Sequence, residues 1–321
     1  MELDTIMKFV PIRFLALAIV LSILIAAAFA YYLPIQDSYH PLNAGWNGCS
    51  AIVQAYPNAT LLNSYDVALP SSSLLAIIGP SVSFTAHDAS AIHTFLEGGG
   101  TVLLADNFGT GNLLLEALGV NVRIAGEPLA DLYFYTRNPQ FPLAYDFSPS
   151  PLTANLTAIA LNRPSYISGT NSSITVLASS SPFSFVDLDQ GRPTVNETVA
   201  SYPVMATSEV GRGSLIIIAD PNIFTNEMLG LFDNALLLRN LMKAHSQLVI
   251  DVAHLSNAPL TGYRIQLKEG IAGARSFLLF TQTGTYLQWA SLIVIILGFS
   301  LEIARGMRRV KWAVQPIRNH T

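Results

Sequence analysis

Three short runs in this chain are apolar along their length with no alternation: Leu74-Leu-Ala-Ile-Ile78, Thr101-Val-Leu-Leu-Ala105 and Ser214-Leu-Ile-Ile-Ile-Ala219. A strand with one face in water alternates apolar and polar residues. A strand covered on both faces does not. Each run also stops at turn-forming residues: Gly79-Pro80, Asp106-Asn107 and Asp220-Pro221. Helical patterns lie between them. Thr85 is placed to cap a helix over Ala86 to Leu96, with Ala89, Ile92, His93 and Leu96 on one face, and Gly98-Gly99-Gly100 ends it. Gly111 to Leu118 reads as a second helix, and Asn226 to Ala244 as a third with a broad apolar face. Buried strands alternating with helices imply an α/β fold, a parallel sheet with helices on both faces. The stretch from about 131 to 210 departs from this pattern. It is rich in Pro, Ser, Thr and Asn, with short β-like pieces at Ser173 to Ala178 and Phe183 to Leu188, and is expected to be an irregular β insertion at the sheet edge.

The ends of the chain carry a different signal. Phe14 to Leu33 is uncharged, and so is Tyr286 to Leu301. Runs of about 20 apolar residues have the length of a transmembrane helix. Lys8 and Arg13 precede the first run, and Arg305, Arg308, Arg309, Lys311 and Arg318 follow the second. Basic flanks stay on the cytoplasmic side. The expectation is therefore a two-pass cell-membrane protein with cytoplasmic ends, 1–13 and 305–321, and spans at 14–33 and 286–304. An extracytoplasmic domain at 34–261 and a connector at 262–285 lie between. Ala28-Phe29-Ala30 also suits a cleavage site, so the first run is a retained anchor or a signal peptide. Residues 34–284 hold 18 acidic against 10 basic side chains, a net of about −8. That charge argues against a nucleic-acid partner. Asn58, Asn155, Asn171 and Asn196 begin glycosylation sequons.

Chemistry-bearing motifs are sparse. Cys49 is the only cysteine, which excludes an internal disulfide and a cysteine-based zinc site. The six histidines show no metal-ligating spacing, and no cofactor or metal is expected. Gly109-Thr-Gly111 lacks the third glycine of a dinucleotide fingerprint, Leu114 standing there. No Gly-x-Ser-x-Gly elbow surrounds Ser81 or Ser83. Asp251 and His254 are spaced to pair a carboxylate with an imidazole, at a strand end or in a site. One constellation converges. Ser81, Asp106, Asn107, Asp220 and Asn222 all follow buried strands, whose loops gather at the carboxyl edge of a parallel sheet. They line a polar cleft for a ligand or partner, or they serve as turn and cap residues.

The order of these features carries a resemblance. It runs from the first apolar run through Leu74-Leu-Ala-Ile-Ile-Gly-Pro80, Glu97-Gly-Gly-Gly100, Thr101-Val-Leu-Leu-Ala-Asp106 and Ala219-Asp-Pro-Asn222. Asn226, Asp233-Asn234, Val249-Ile-Asp-Val-Ala-His254 and the second apolar run follow. The chain resembles DUF4350-type membrane proteins of archaea and bacteria, whose outer domain is similar to class I glutamine amidotransferases. The resemblance implies a flavodoxin-like sheet. It also places Asn107 where the amidotransferase elbow has its cysteine, and an amide supplies no thiolate. The usual His-x-Glu pair is absent late in the domain, so no catalytic residue is assigned. Members of the family often accompany MoxR-type ATPases and DUF58 proteins. The expected function is a non-catalytic, membrane-anchored binding or scaffold protein. Its partners would be the lipid bilayer, membrane or envelope proteins, and by resemblance a cytoplasmic ATPase system. The alternatives are a divergent hydrolase using Asp106, Asp220 or Asp251, and a structural component of an envelope assembly.

Overall fold

The structure, a computed structural model, describes residues 17–25, 28, 34–169, 174–188, 197–256 and 261–289. The chain divides into two compact units. One is Pro34–Ala258, and the other combines Met1–Leu33 with Pro259–Thr321.

Within Pro34–Ala258 the chain forms α1 (Ser50–Ala55), β1 (Thr60–Leu62), β2 (Ser73–Ile78), α2 (Ala86–Glu97), β3 (Thr101–Ala105) and α3 (Gly111–Ala117). Short strands follow: β4 (Arg123–Ile124), β5 (Leu129–Asp131), β6 (Leu143–Phe147), β7 (Ile159–Ala160) and β8 (Ile167–Ser168). Then come β9 (Ile174–Ser180), β10 (Ser184–Val186), β11 (Val199–Ala200), β12 (Pro203–Val210) and β13 (Gly213–Ile218). A 3-10 turn at Pro221–Phe224, α4 (Asn234–Met242) and β14 (Gln247–Asp251) complete the unit.

The main sheet has nine strands in the order β1-β14-β2-β3-β13-β12-β9-β6-β7. The first five are parallel, and from β13 onward every pairing is antiparallel. The three apolar runs are β2, β3 and β13, side by side at its centre. Their residues divide by parity. Leu74, Ala76, Ile78, Leu103, Ile216 and Ile218 pack with Ile52 of α1 and Leu237, Leu238 and Leu241 of α4. Leu75, Ile77, Val102, Leu104, Leu215 and Ile217 pack with Ile92, Phe95 and Leu96 of α2 and Leu114 and Leu115 of α3. Both faces are thus covered, which is why no polar residue interrupts the runs. Each fully buried Leu or Ile side chain contributes about 1.5–3 kcal/mol of transfer free energy.

Three expectations are corrected. First, the sheet is mixed rather than parallel throughout. The segment 131–210 is no insertion beside it, because β6, β7, β9 and β12 extend the sheet, and β5, β10 and β11 form a separate three-stranded sheet. The turn between β12 and β13 explains the reversal. Gly211 adopts φ 61°, and so short a connection joins only antiparallel neighbours. Second, the third helix starts at Asn234, not Asn226. The carboxylate of Asp233 accepts from the Thr157 and Ala158 amides and the Thr157 hydroxyl, and Phe232 takes φ 45°. These tertiary bonds hold the preceding backbone out of a helix.

Third, among the described residues no helix is long and apolar enough to cross a membrane. This overturns the two transmembrane helices and, with them, the two-pass cell-membrane arrangement of an extracytoplasmic domain with cytoplasmic ends. Residues 17–25 are helical. Helix α5 (Thr261–Phe280) has the length but carries Arg264, Lys268, Glu269 and Arg275. Residues 14–16, 26–27, 29–33 and 290–301 of the two runs, and the flanking ends 1–13 and 302–321, lie outside the described residues. So do Asn171 and Asn196. Asn58 and Asn155 are exposed, the latter at φ 60°.

Candidate functional site

β3 and β13 are neighbours whose loops leave for opposite faces of the sheet, toward α3 and toward α4. Such a divergence opens a crevice at the carboxyl edge, the usual ligand position in α/β sheets. The backbone joins the two strands there, where the Asp106 amide donates to the Ile218 carbonyl at 3.0 Å. Asp106 and Asp220 thus each follow one of two neighbouring strands at the same edge, with Asn107 and Asn222 after them.

Each acid is consumed locally. Asp106 Oδ1 accepts from the amides of Asn107 (2.8 Å) and Gly109 (2.9 Å), and Oδ2 from Gly111 (2.8 Å). Asp220 Oδ1 accepts from the Asn222 amide (2.9 Å) and side chain (3.0 Å), and Oδ2 from the Asn162 amide (2.6 Å). They are 3% and 0% exposed. Burial raises both carboxyl pKa values against the pull of these donors, that of Asp220 to about 7.

Two elements that the sequence did not point to close the crevice. Tyr39, at φ 59°, lays its ring against Gly79 and donates its hydroxyl to Asn222 Oδ1 at 3.0 Å. Its phenol pKa is raised by burial first, then by the charges of Asp220, Cys49 and Asp106, so it stays protonated and able to donate. From the other side comes the loop after β7. Asn162 and Arg163 offer carbonyls to Asn222 Nδ2 (2.8 Å) and Asn107 Nδ2 (3.1 Å). Asn107 also accepts from the Phe108 amide, so its side chain shapes the loop. Ser81 lies apart, exposed, and accepts from the Ser256 amide at 2.8 Å. Cys49 is fully buried and desolvation pushes its thiol up to about 12, the opposite of an activated nucleophile.

A second polar cluster sits at the end of β14. His254 Nδ1 bonds Asp251 Oδ2 at 2.8 Å, and Nε2 faces Asp88 Oδ2 at 3.4 Å. The ring stacks on Phe84, with centroids 3.9 Å apart, and is tilted against Tyr65. It is 3% exposed. Burial pulls its pKa down, but the hydrogen bonds and charges of Asp251 and Asp88 raise it overall. Asp88 simultaneously closes the α2 capping box with Thr85. This ties the start of α2 to the end of β14. The three-residue spacing pointed to Asp251 and His254, whereas Asp88 comes from 166 positions upstream. Among the described residues, no group of three or more His, Cys, Asp and Glu is arranged to hold a metal ion.

Residues 41–242 match a family model described as domain of unknown function (DUF4350). No curated relative matches the chain. Among solved structures it is similar to the mmIFT52 N-terminal domain at 16% identity and TM-score 0.42, over 53% of this chain and 75% of that one. A putative ThuA-like protein from Bacteroides uniformis is similar at 15% identity and TM-score 0.35, over 57% and 72%. A β-galactosidase from Bacillus circulans sp. alkalophilus is similar at 14% identity and TM-score 0.34, over 56% of this chain. The chain spans about a quarter of that enzyme's length, 24%.

Proposed function

Because the chain belongs to the DUF4350 family, we propose that it is a non-catalytic binding or scaffold module built on an amidotransferase-like sheet that has lost its chemistry. One observation carries this reading: the carboxyl-edge crevice is filled by the chain itself. Tyr39 and the Asn162–Arg163 loop occupy it, and each carboxylate oxygen of Asp106 and Asp220 beneath accepts at least one hydrogen bond from the chain itself. A general acid or nucleophile must reach the reacting atom. Asp106, Asp220 and Asp251, the acids on which a divergent hydrolase would draw, are all at most 3% exposed. Asn107 stands in the elbow, with its amide spent on two backbone partners. Recognition then belongs to the outer surface, with a protein as the partner, and the ATPase-linked assembly implied by the family is the first place to seek it.

The test is turnover by the purified full chain. It should release no ammonia from glutamine and hydrolyse no chromogenic ester, phosphoester or glycoside. Turnover that is abolished by Cys49→Ser, Asp106→Ala, Asp220→Ala or His254→Ala would overturn the proposal.

A further inference from the structure

The antiparallel half presents an aromatic surface that the crevice argument leaves unexplained. Tyr133, Phe134, Tyr145 and Phe183 are between 39% and 70% exposed and touch one another. Phe134 meets Tyr145 edge-on at 5.3 Å and lies near-parallel to Phe183 at 5.8 Å, and Tyr133 meets Phe183 edge-on at 5.1 Å. Clustered exposed rings of this kind are unusual on a surface with no ligand.

The rings are mounted, not loose. Asp131, fully buried, accepts from the amides of Tyr133 (2.9 Å) and Phe134 (2.7 Å) through Oδ1. Its Oδ2 accepts from the hydroxyls of Ser184 (2.7 Å) and Ser181. One carboxylate thus fastens the loop that carries Tyr133 and Phe134 to the loop that carries Phe183. Ligand sites need this kind of preorganised support.

Beside the rings is a mostly apolar groove of about 420 Å³, bounded by Phe134, Tyr145, Asp146, Ser181, Pro182 and Ser201. That is within the range of small-ligand pockets, roughly 300–1,000 Å³. Its one charged residue is placed there by a fault in the strand. The β6–β9 register shifts between Ala144 and Asp146, so consecutive residues Tyr145 and Asp146 are both exposed where a regular strand would bury one. Bulges re-aim side chains in this way. None of the ion pairs among the described residues involves Asp146.

We infer that this groove binds a basic side chain of a partner protein, an arginine whose guanidinium lies against Phe134 and Tyr145 and pairs with Asp146. Ring faces attract cations, and a planar guanidinium both stacks on a ring and bonds a carboxylate with two parallel N–H groups. The net negative charge of residues 34–284 draws the same kind of partner. The inference rests on the reading of this chain as a binding module and names the chemistry of its partner.

The experiment uses the full chain labelled with 3-fluorotyrosine, the Tyr145 resonance being assigned by Tyr145→Phe. Titration with acetyl-Gly-Arg-Gly-amide should shift that resonance saturably, and acetyl-Gly-Glu-Gly-amide should leave it unmoved. Asp146→Asn and Phe134→Leu should each weaken the arginine peptide by about threefold to tenfold. Asp146→Asn should melt as the unmodified chain does, since the residue is exposed. An arginine peptide that fails to move Tyr145, an Asp146→Asn variant that binds it equally well, or a shift produced instead by methyl glucoside would each overturn the inference. Turnover in the hydrolysis assays would instead sink the binding-module reading and leave this titration as it is.

Discussion

Gly79 and Tyr39 are fitted to each other. Gly79 adopts φ 61°, and a Cβ built there would lie 2.2 Å from the Tyr39 ring. Gly79→Ala is therefore expected to lower stability by about 1–3 kcal/mol, combining left-handed backbone strain with overpacking. In a Tyr39→Ala background the same change should cost less, because only the strain is left. Denaturant melts of the two singles and the double measure that coupling. His254 is held between two carboxylates, Asp251 and Asp88. Its folded pKa is raised above the ordinary 6.5 while Asp251 and Asp88 face it. Its stabilising contribution is complete below about pH 6.5 and is lost as pH rises through the folded value. His254→Gln should flatten the loss of melting temperature that the unmodified chain shows above pH 6.5. An unchanged slope would mean that the imidazole stays neutral. The spacing Asp251-Val-Ala-His254 made this pair legible in the sequence. Asp88 was not legible, because nothing local says that the β14 end lies over α2.

At the scale of elements, what could be read was what is covered on both faces. β2, β3 and β13 were plain in the sequence because two helical layers leave no position for a polar residue. The α2 start was plain because Thr85 suits a cap, and the structure adds Asp88, which closes a capping box with it. Thr85→Ala is expected to cost about 0.5–2 kcal/mol. It should also loosen Asp88 from His254, so its cost should shrink in a His254→Gln background, as chemical denaturation would detect. The antiparallel half was obscure for physical reasons. β7, β8 and β11 are two residues long, and β9 and β6 carry register shifts, so no period can establish itself. α4 was overextended because its apolar pattern continues backward through residues that Asp233 holds out of the helix.

For the whole molecule, the buried-strand pattern placed Asp106 and Asp220 after strands of one sheet, but the loops packed over them did not follow from it. Tyr39 precedes the first strand, and Asn162 and Arg163 belong to the half whose strands were hidden. A polar loop after a strand looks the same in sequence whether it faces a ligand or its own chain. Composition had suggested a spanning helix at each end, whereas among the described residues no helix is long and apolar enough to cross a membrane. Tyr39 and the backbone of the Asn162–Arg163 loop shut the crevice. Native-state amide hydrogen exchange reads that closure at Gly111, Asn162 and Asn222, whose amides donate to the two buried acids. These three should be protected to within roughly tenfold of the core strand amides of Leu104 and Ile217, opening only when the sheet itself opens. Exchange at Asn162 and Asn222 many orders of magnitude faster than at Leu104 would show a crevice open to solvent.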